Sequence, residues 1–186
     1  MSTADGARIC VYCASSFGRD PAFEQSARAV GEVLVERGID LVYGGGHVGL
    51  MGVIADTALA GGRHVIGVIP QNLVDSEVEH SGVSELHVVD DMPARKRIMY
   101  DRADAFLTLP GGVGTMEEMF EVLCWGYLGL HPKPMGLLNV NGYYDRLIEF
   151  LAESVEVGLT RQKAVDLLAI DDDPERLVDR LLPRRV

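Results

Sequence analysis

Pro110-Gly111-Gly112-Val113-Gly114-Thr115-Met116-Glu117-Glu118 follows the apolar run Ala105 to Leu109 and leads into Met116, Met119, Phe120, Leu123 and Tyr127 at helical spacing. The expected local order is strand, glycine turn, helix. Glycines at 111, 112 and 114 leave no Cβ between the backbone and a guest, and they permit left-handed dihedrals. A helix starting near Thr115 points unpaired N–H groups back at the turn, where an anion is stabilised. Glu118 falls one turn further on, on the face of Thr115. A carboxylate beside a phosphate cradle repels the phosphate and so serves another part of the ligand. The stretch reads as a nucleotide-monophosphate site carrying its own catalytic acid. The plainer alternative is a strand-to-helix turn whose glutamate only complements the helix dipole.

Outward from that turn, short apolar runs alternate with amphipathic segments. Strands are expected at Arg8 to Ser15, Ile39 to Tyr43, Val65 to Ile69, Leu86 to Val89, Ala105 to Leu109, Met135 to Val140 and Val165 to Ile170. Helices are expected after Asp20-Pro21 up to Gly38, over Gly49 to Ala60 and Met92 to Ala103, from the glycine turn to about Leu130, over Tyr143 to Val157, and over Pro174 to Leu182. Gln71 to Gly82 is polar and acidic, a surface loop or short helical turn. This alternation predicts one α/β domain over residues 1–186, with loose ends at 1–7 and 183–186. It is Rossmann-like and three-layered, with a mostly parallel sheet of about seven strands and helices on both faces. Right-handed crossovers bring the strand ends near 13–16, 44–46, 70 and 110–114 to one edge, where such sheets bind ligands.

Composition narrows the function. A formal net charge of −11 argues against a nucleic-acid or anionic-membrane partner. Met1 to Ala7 is polar, and no apolar run reaches the ~18 residues of a membrane span, so the cytoplasm is the expected location. The three cysteines are an odd number, and Cys10 and Cys13 lie in a strand, where residues three apart face opposite sides. They read as buried, inert thiols. His47, His64, His80, His87 and His131 show no i,i+4 pair and no Cys-His cluster, so no metal site is expected. Met51, Met99, Met116 and Met119 read as packing, and Trp125 and Tyr127 as burial against a second subunit.

The turn after the first strand, Cys13 to Gly18, lacks the dinucleotide fingerprint, and no Gly-Lys-Ser/Thr occurs. Gly44 to Gly49 matches that spacing only after the second strand, so hydride transfer is disfavoured. Only Lys96, Lys133 and Lys163 could form a Schiff base, and Lys96 beside Arg95 looks like an anion clamp.

Pro110 to Glu118 fits P-G-G-x-G-T-x-x-E, and Met92-Pro93-Ala94-Arg95-Lys96 fits a companion M-x-x-R-K. In order and at this separation they resemble the LONELY GUY family of cytokinin-activating phosphoribohydrolases, sometimes mislabelled lysine decarboxylases. The likeness runs over roughly residues 8–160, through Cys13 to Ser16, Tyr43 to Gly46, Gly49 to Gly52, Trp125 to Pro134 and Leu137 to Asn139.

The resemblance implies hydrolysis of N6-substituted adenosine 5′-monophosphates to free base and ribose 5-phosphate, without metal or organic cofactor. It makes Arg95 and Glu118 the catalytic pair, and it places Gly111, Gly112, Val113, Gly114 and Thr115 around the 5′-phosphate. Lys96, Glu77, Ser15, Gly45 and Gly46 join them as substrate-binding positions. Glu117 is also in that set, although its place one residue before Glu118 suits the helix surface or a subunit contact. Cys124 stands near the base where relatives often carry threonine, a departure that weakens hydrogen bonding there. The resemblance further implies a homodimer with the site near its interface. The alternative is a carrier of the same fold that holds a nucleotide or a molybdenum-type cofactor without turning it over.

Overall fold

A computed structural model describes residues 6–73 and 79–183. Its strands are β1 (Arg8–Tyr12), β2 (Asp40–Tyr43), β3 (Val65–Pro70), β4 (Glu85–Val89), β5 (Ala105–Thr108), β6 (Met135–Leu138) and β7 (Leu168–Asp171). They form one sheet in the order β4-β3-β2-β1-β5-β6-β7, with every neighbouring pair parallel. The helices are α1 (Pro21–Arg37), α2 (Gly49–Ala60), α3 (Met92–Arg102), α4 (Val113–Tyr127), α5 (Asp145–Glu156), α6 (Gln162–Val165) and α7 (Pro174–Leu181).

Each sheet face has its own core. Ile9, Val11, Leu41, Tyr43 and Leu107 pack on one side with residues of α1, α2 and α7. Cys10, Tyr12, Val42, Val68 and Phe106 pack on the other with Met99 of α3 and Met119 and Leu123 of α4. Cys10 and Cys13 are both buried and belong to opposite cores, as alternation along a strand requires. Burial pushes the Cys10 thiol well above its usual range, so it stays protonated. Among the described residues, no helix is long and apolar enough to cross a membrane.

Local chemistry sets the helix ends. The Asp20 carboxylate accepts from Ala22 N at 2.9 Å, and Gly38 closes α1 at φ 66°. Helix α4 stops at Tyr127 rather than near Leu130. Gly129 takes φ 76°, and Leu130 N turns back to Trp125 O at 2.9 Å.

The last expected strand is displaced. Residues 162–165 form α6, where Asp166 N bonds Gln162 O at 3.0 Å and Gln162 Nε2 bonds Asp166 Oδ1 at 2.8 Å, and β7 begins only at Leu168. Strand β1 ends at Tyr12, short of Ser15, because the chain bends at Ser15 and Ser16. Of the ends expected to be loose, 1–5 and 184–186 lie outside the described residues. Ala7 is tied to the start of β2, its carbonyl accepting from Asp40 N at 2.9 Å.

The chain builds outward from β1 to β4 on one side, then returns to build β5 to β7 on the other. The reversal point lies between the C-terminal ends of β1 and β5, where open α/β sheets leave a crevice.

Candidate active site

The loops that meet at this crevice are Cys13 to Ser16 after β1 and Pro110 to Gly112 after β5. They are stitched together by Leu109 N to Tyr12 O at 2.9 Å and Ala14 N to Pro110 O at 3.2 Å. Between them lies a cleft of about 270 Å³, lined by Ser15, Gly112, Gly114, Thr115, Arg95 and Glu118 among others. Gly112 is the N-cap of α4, and no side chain caps this helix. The amide groups of its first turn therefore face the cleft end without an intrahelical partner.

The conformation of the glycine turn differs from expectation. Gly111, Gly112 and Gly114 are absent from the residues with positive φ, and Gly112 has φ −95°. What Gly111 supplies is space, since a Cβ there would meet Thr115 Oγ1 at 2.1 Å. Around Gly112 and Gly114 a Cβ would meet nothing within 4 Å, so both positions border open space at the start of α4. Two tyrosines hold this loop from behind. Tyr143 Oη donates to Gly111 O at 2.8 Å, and Tyr144 Oη donates to Leu109 O at 2.7 Å.

Arg95 and Glu118 come together at the cleft floor. They arise from α3 and α4, and their relative exposures are only 4% and 6%. Arg95 Nη1 lies 3.6 Å from Glu118 Oε1, an ion pair longer than a hydrogen bond. Two backbone carbonyls, one within β3 and one just past β2, fix the guanidinium: Nε donates to Val68 O and Nη2 to Gly44 O, each at 3.0 Å. These charge-assisted bonds offset the cost of burying Arg95. They also occupy the Nε–Nη2 edge, so that edge cannot grip a phosphate bidentately, one of the roles its residue type suggests. The arm left facing the cleft is Nη1. Gly44 makes this possible, because a Cβ there would lie 2.1 Å from Nη2. The sequence reading passed over Gly44; its signal was the first of three glycines directly after β2.

Lys96 does not form an anion clamp with Arg95. Its Nζ is held by Glu117 Oε1 at 2.5 Å and Glu121 Oε1 at 2.9 Å, which joins α3 to α4. Burial lowers its pKa, but the bonds from Glu117 and Glu121 outweigh that and leave it raised. Glu117 is thus engaged on the helix surface. Gly45 (φ 80°) and Gly46 lie outside the cleft lining and anchor the next segment instead: His80 N donates to Gly45 O at 3.0 Å, and Gly46 bridges Glu79. Cys124 is exposed in a separate groove with Phe120, Tyr127 and Leu159. The position expected near the base is therefore not among the residues that line the cleft of Glu118 within one chain. Glu77 lies outside the described residues. Met51, read as packing, is buried yet also lines the cleft, as does Met92. His47, Asp56 and His80 converge so that their ligand atoms lie within 4.8 Å of one another, a grouping that spacing in the sequence concealed.

A family model described as "Possible lysine decarboxylase" matches residues 51–181. A probable cytokinin riboside 5′-monophosphate phosphoribohydrolase of Oryza sativa subsp. japonica is 47% identical over 174 residues, covering 94% of this chain and 71% of its own. A cytokinin riboside 5′-monophosphate phosphoribohydrolase of Arabidopsis thaliana is also 47% identical, covering 94% of this chain and 80% of its own. Among solved structures, the molybdenum cofactor carrier protein of Chlamydomonas reinhardtii superposes with a TM-score of 0.71 at 20% identity, over 96% of this chain and 98% of that one. The molybdenum cofactor binding protein of Rippkaea orientalis gives a TM-score of 0.70 at 19% identity, over 96% of each chain. At such identities the carriers share the fold alone, whereas near-half identity along almost the whole length is kinship. The chain belongs to the same family as these plant enzymes, the LONELY GUY family indicated by its paired motifs.

Proposed function

We propose that this protein hydrolyses the N-glycosidic bond of adenosine 5′-monophosphates, N6-substituted or plain, to the free base and ribose 5-phosphate. The observation that carries the reading is the buried Arg95–Glu118 pair, set one helical turn below the uncapped start of α4. The 5′-phosphate sits on the amides of Gly112 to Thr115, where the helix terminus favours negative charge. That anchor places the ribose over Glu118. As the bond from C1′ to the base nitrogen breaks, positive charge grows on the sugar ring. A fixed carboxylate in a low-dielectric cleft stabilises that charge more than it stabilises the ground state. Glu118 also orients the attacking water and takes its proton as the water oxygen bonds to C1′ and the C1′–N bond breaks; the departing base nitrogen takes a proton from solvent and Glu118 returns its own to solvent, so that one water is consumed overall. Arg95 acts by holding Glu118 in place through Nη1.

A carrier role has only the common fold behind it, and a pure binder has no use for a buried carboxylate beside a phosphate anchor. Incubation with AMP and with isopentenyladenosine monophosphate, followed by chromatography for free base, is the test. Tight nucleotide binding with no base released from either would replace the hydrolase with the carrier.

We propose further that two copies pair through the α4–α5 side, where Leu128, Leu130 and Phe150 are exposed and Leu159 lines the groove that holds Cys124. Such pairing brings a second chain to the edge of the site and gives Cys124 a place near the base. Light scattering should return the mass of two chains.

A further inference from the structure

We propose that His47, Asp56 and His80 form a binding site for one divalent transition metal, with zinc best matched to two imidazoles and a carboxylate. His80 Nε2 lies 3.0 Å from Asp56 Oδ1, and His47 Nε2 lies 3.9 Å from Asp56 Oδ2. The two rings sit 4.3 Å apart between centroids and are tilted by 40°, so both Nε2 atoms turn toward one carboxylate. One ligand is preset and two are adjustable. The His80 side chain is 6% exposed, while those of His47 and Asp56 are 51% and 60% exposed. Tetrahedral zinc wants neighbouring ligand atoms roughly 3.3 Å apart, and these atoms lie within 4.8 Å of one another, so the exposed arms close a gap of at most about 1.5 Å. Solvent supplies the remaining position and the route of entry.

The proton count balances. Gly82 N donates to His80 Nδ1 at 3.2 Å, so in the metal-free protein His80 carries its proton on Nε2 and donates it to Asp56. Metal takes the Nε2 lone pair, the proton moves to Nδ1, and the N–H of Gly82, which is exposed, turns to water. No net proton is released from His80.

The site would join three segments: the turn after β2, the body of α2 and the residues that start at Glu79. The last of these is already pinned to Gly45 and Gly46, next to the Gly44 carbonyl that holds Arg95. A bound metal therefore clamps the scaffold behind the cleft without entering it. Two rival sites are set apart by their chemistry. Glu85 lies near His64 and His87, but Arg102 Nη2 stands 3.1 Å from its carboxylate and opposes a cation. Cys124 is a lone exposed thiol.

Zinc chloride is titrated calorimetrically into the chelator-treated full chain, and melting is followed with and without the metal. One equivalent per chain should bind, with a rise in melting temperature that follows from binding the folded state alone. His47→Ala and Asp56→Ala, both at exposed positions, should fold as judged by circular dichroism. Both should lose the binding step, a weakening of roughly tenfold or more counting as loss. A His64→Ala/His87→Ala variant and Cys124→Ser should keep it. The proposal falls if the native chain shows no one-equivalent step, if the step survives in His47→Ala or Asp56→Ala, or if it disappears in either control.

Discussion

Gly44→Ala tests the architecture of the site without touching a charged residue. The backbone at Gly44 is not left-handed, so alanine adds no dihedral strain, and the added methyl strikes the guanidinium at 2.1 Å while meeting the flexible end of Met51 at 3.1 Å (Sδ) and 3.2 Å (Cε). To reach an ordinary contact of about 3.4 Å, Nη2 must retreat by roughly 1.3 Å. A shift of that size stretches the 3.0 Å bonds to Gly44 O and Val68 O beyond hydrogen-bond range. Each bond from a charged donor contributes about 1.5–3 kcal/mol, so complete loss of both destabilises the fold by about 3–6 kcal/mol.

A misplacement near 1 Å at a catalytic centre costs about 100-fold in rate, so the rate at which base is released from AMP should fall to that extent in the folded fraction. Phosphate affinity should change far less. Urea unfolding gives the stability, and single-turnover base release gives the rate. In an Arg95→Met background the alanine should cost little more, because the group it strikes is gone. A folded Gly44→Ala protein turning over at the native rate would refute the account of Arg95 as the group that holds Glu118.

Glu118→Gln keeps the shape and removes the charge, so base release should drop by about 100-fold or more while nucleotide binding measured by calorimetry is largely kept. Near-native turnover would take Glu118 out of the mechanism. The Lys96 brace predicts an alkaline limb in stability. Its folded pKa is raised above the ordinary 10.5, so its contribution is fully present below 10.5 and is lost as pH rises through the folded value. In Lys96→Met that part of the limb should be missing from a urea-midpoint profile against pH, and an unchanged profile would remove the brace from the stability of the α3–α4 pair.

Much of the fold could be read from short apolar runs punctuated by glycine and proline, because each run is completed by local signals. Asp20-Pro21 and Gly38 bracket α1 by their own dihedrals and caps. The misplaced start of the last strand, expected at Val165 and found at Leu168, has the opposite cause: an apolar stretch that short suits either period, and residues 162–165 take a helical turn that a side-chain bond from Gln162 to Asp166 closes. At the site, Arg95 and Glu118 were evident as motif members, but what engages them was not. The partners of Arg95 are backbone carbonyls of Gly44 and Val68, which carry no side-chain signature. Lys96 was misjudged because its neighbour in sequence faces the sheet, while its own side chain lies along α4 beside Glu117 and Glu121. The turn glycines were expected to offer both room and left-handed dihedrals; they take no positive φ, and at Gly111 the room is what the fold uses. His47, Asp56 and His80 come from three separate segments and meet only in the folded chain.

Arg95 rests on β2 and β3, whereas Glu118 follows β5 on the far side of β1. The reacting pair thus straddles the seam between the half of the sheet laid down first and the half laid down afterwards. A nascent chain released before β5, or one whose halves have parted, carries the guanidinium but no acid to set beside it. Activity in a preparation would accordingly count chains with both halves docked and give a direct gauge of assembly quality during refolding.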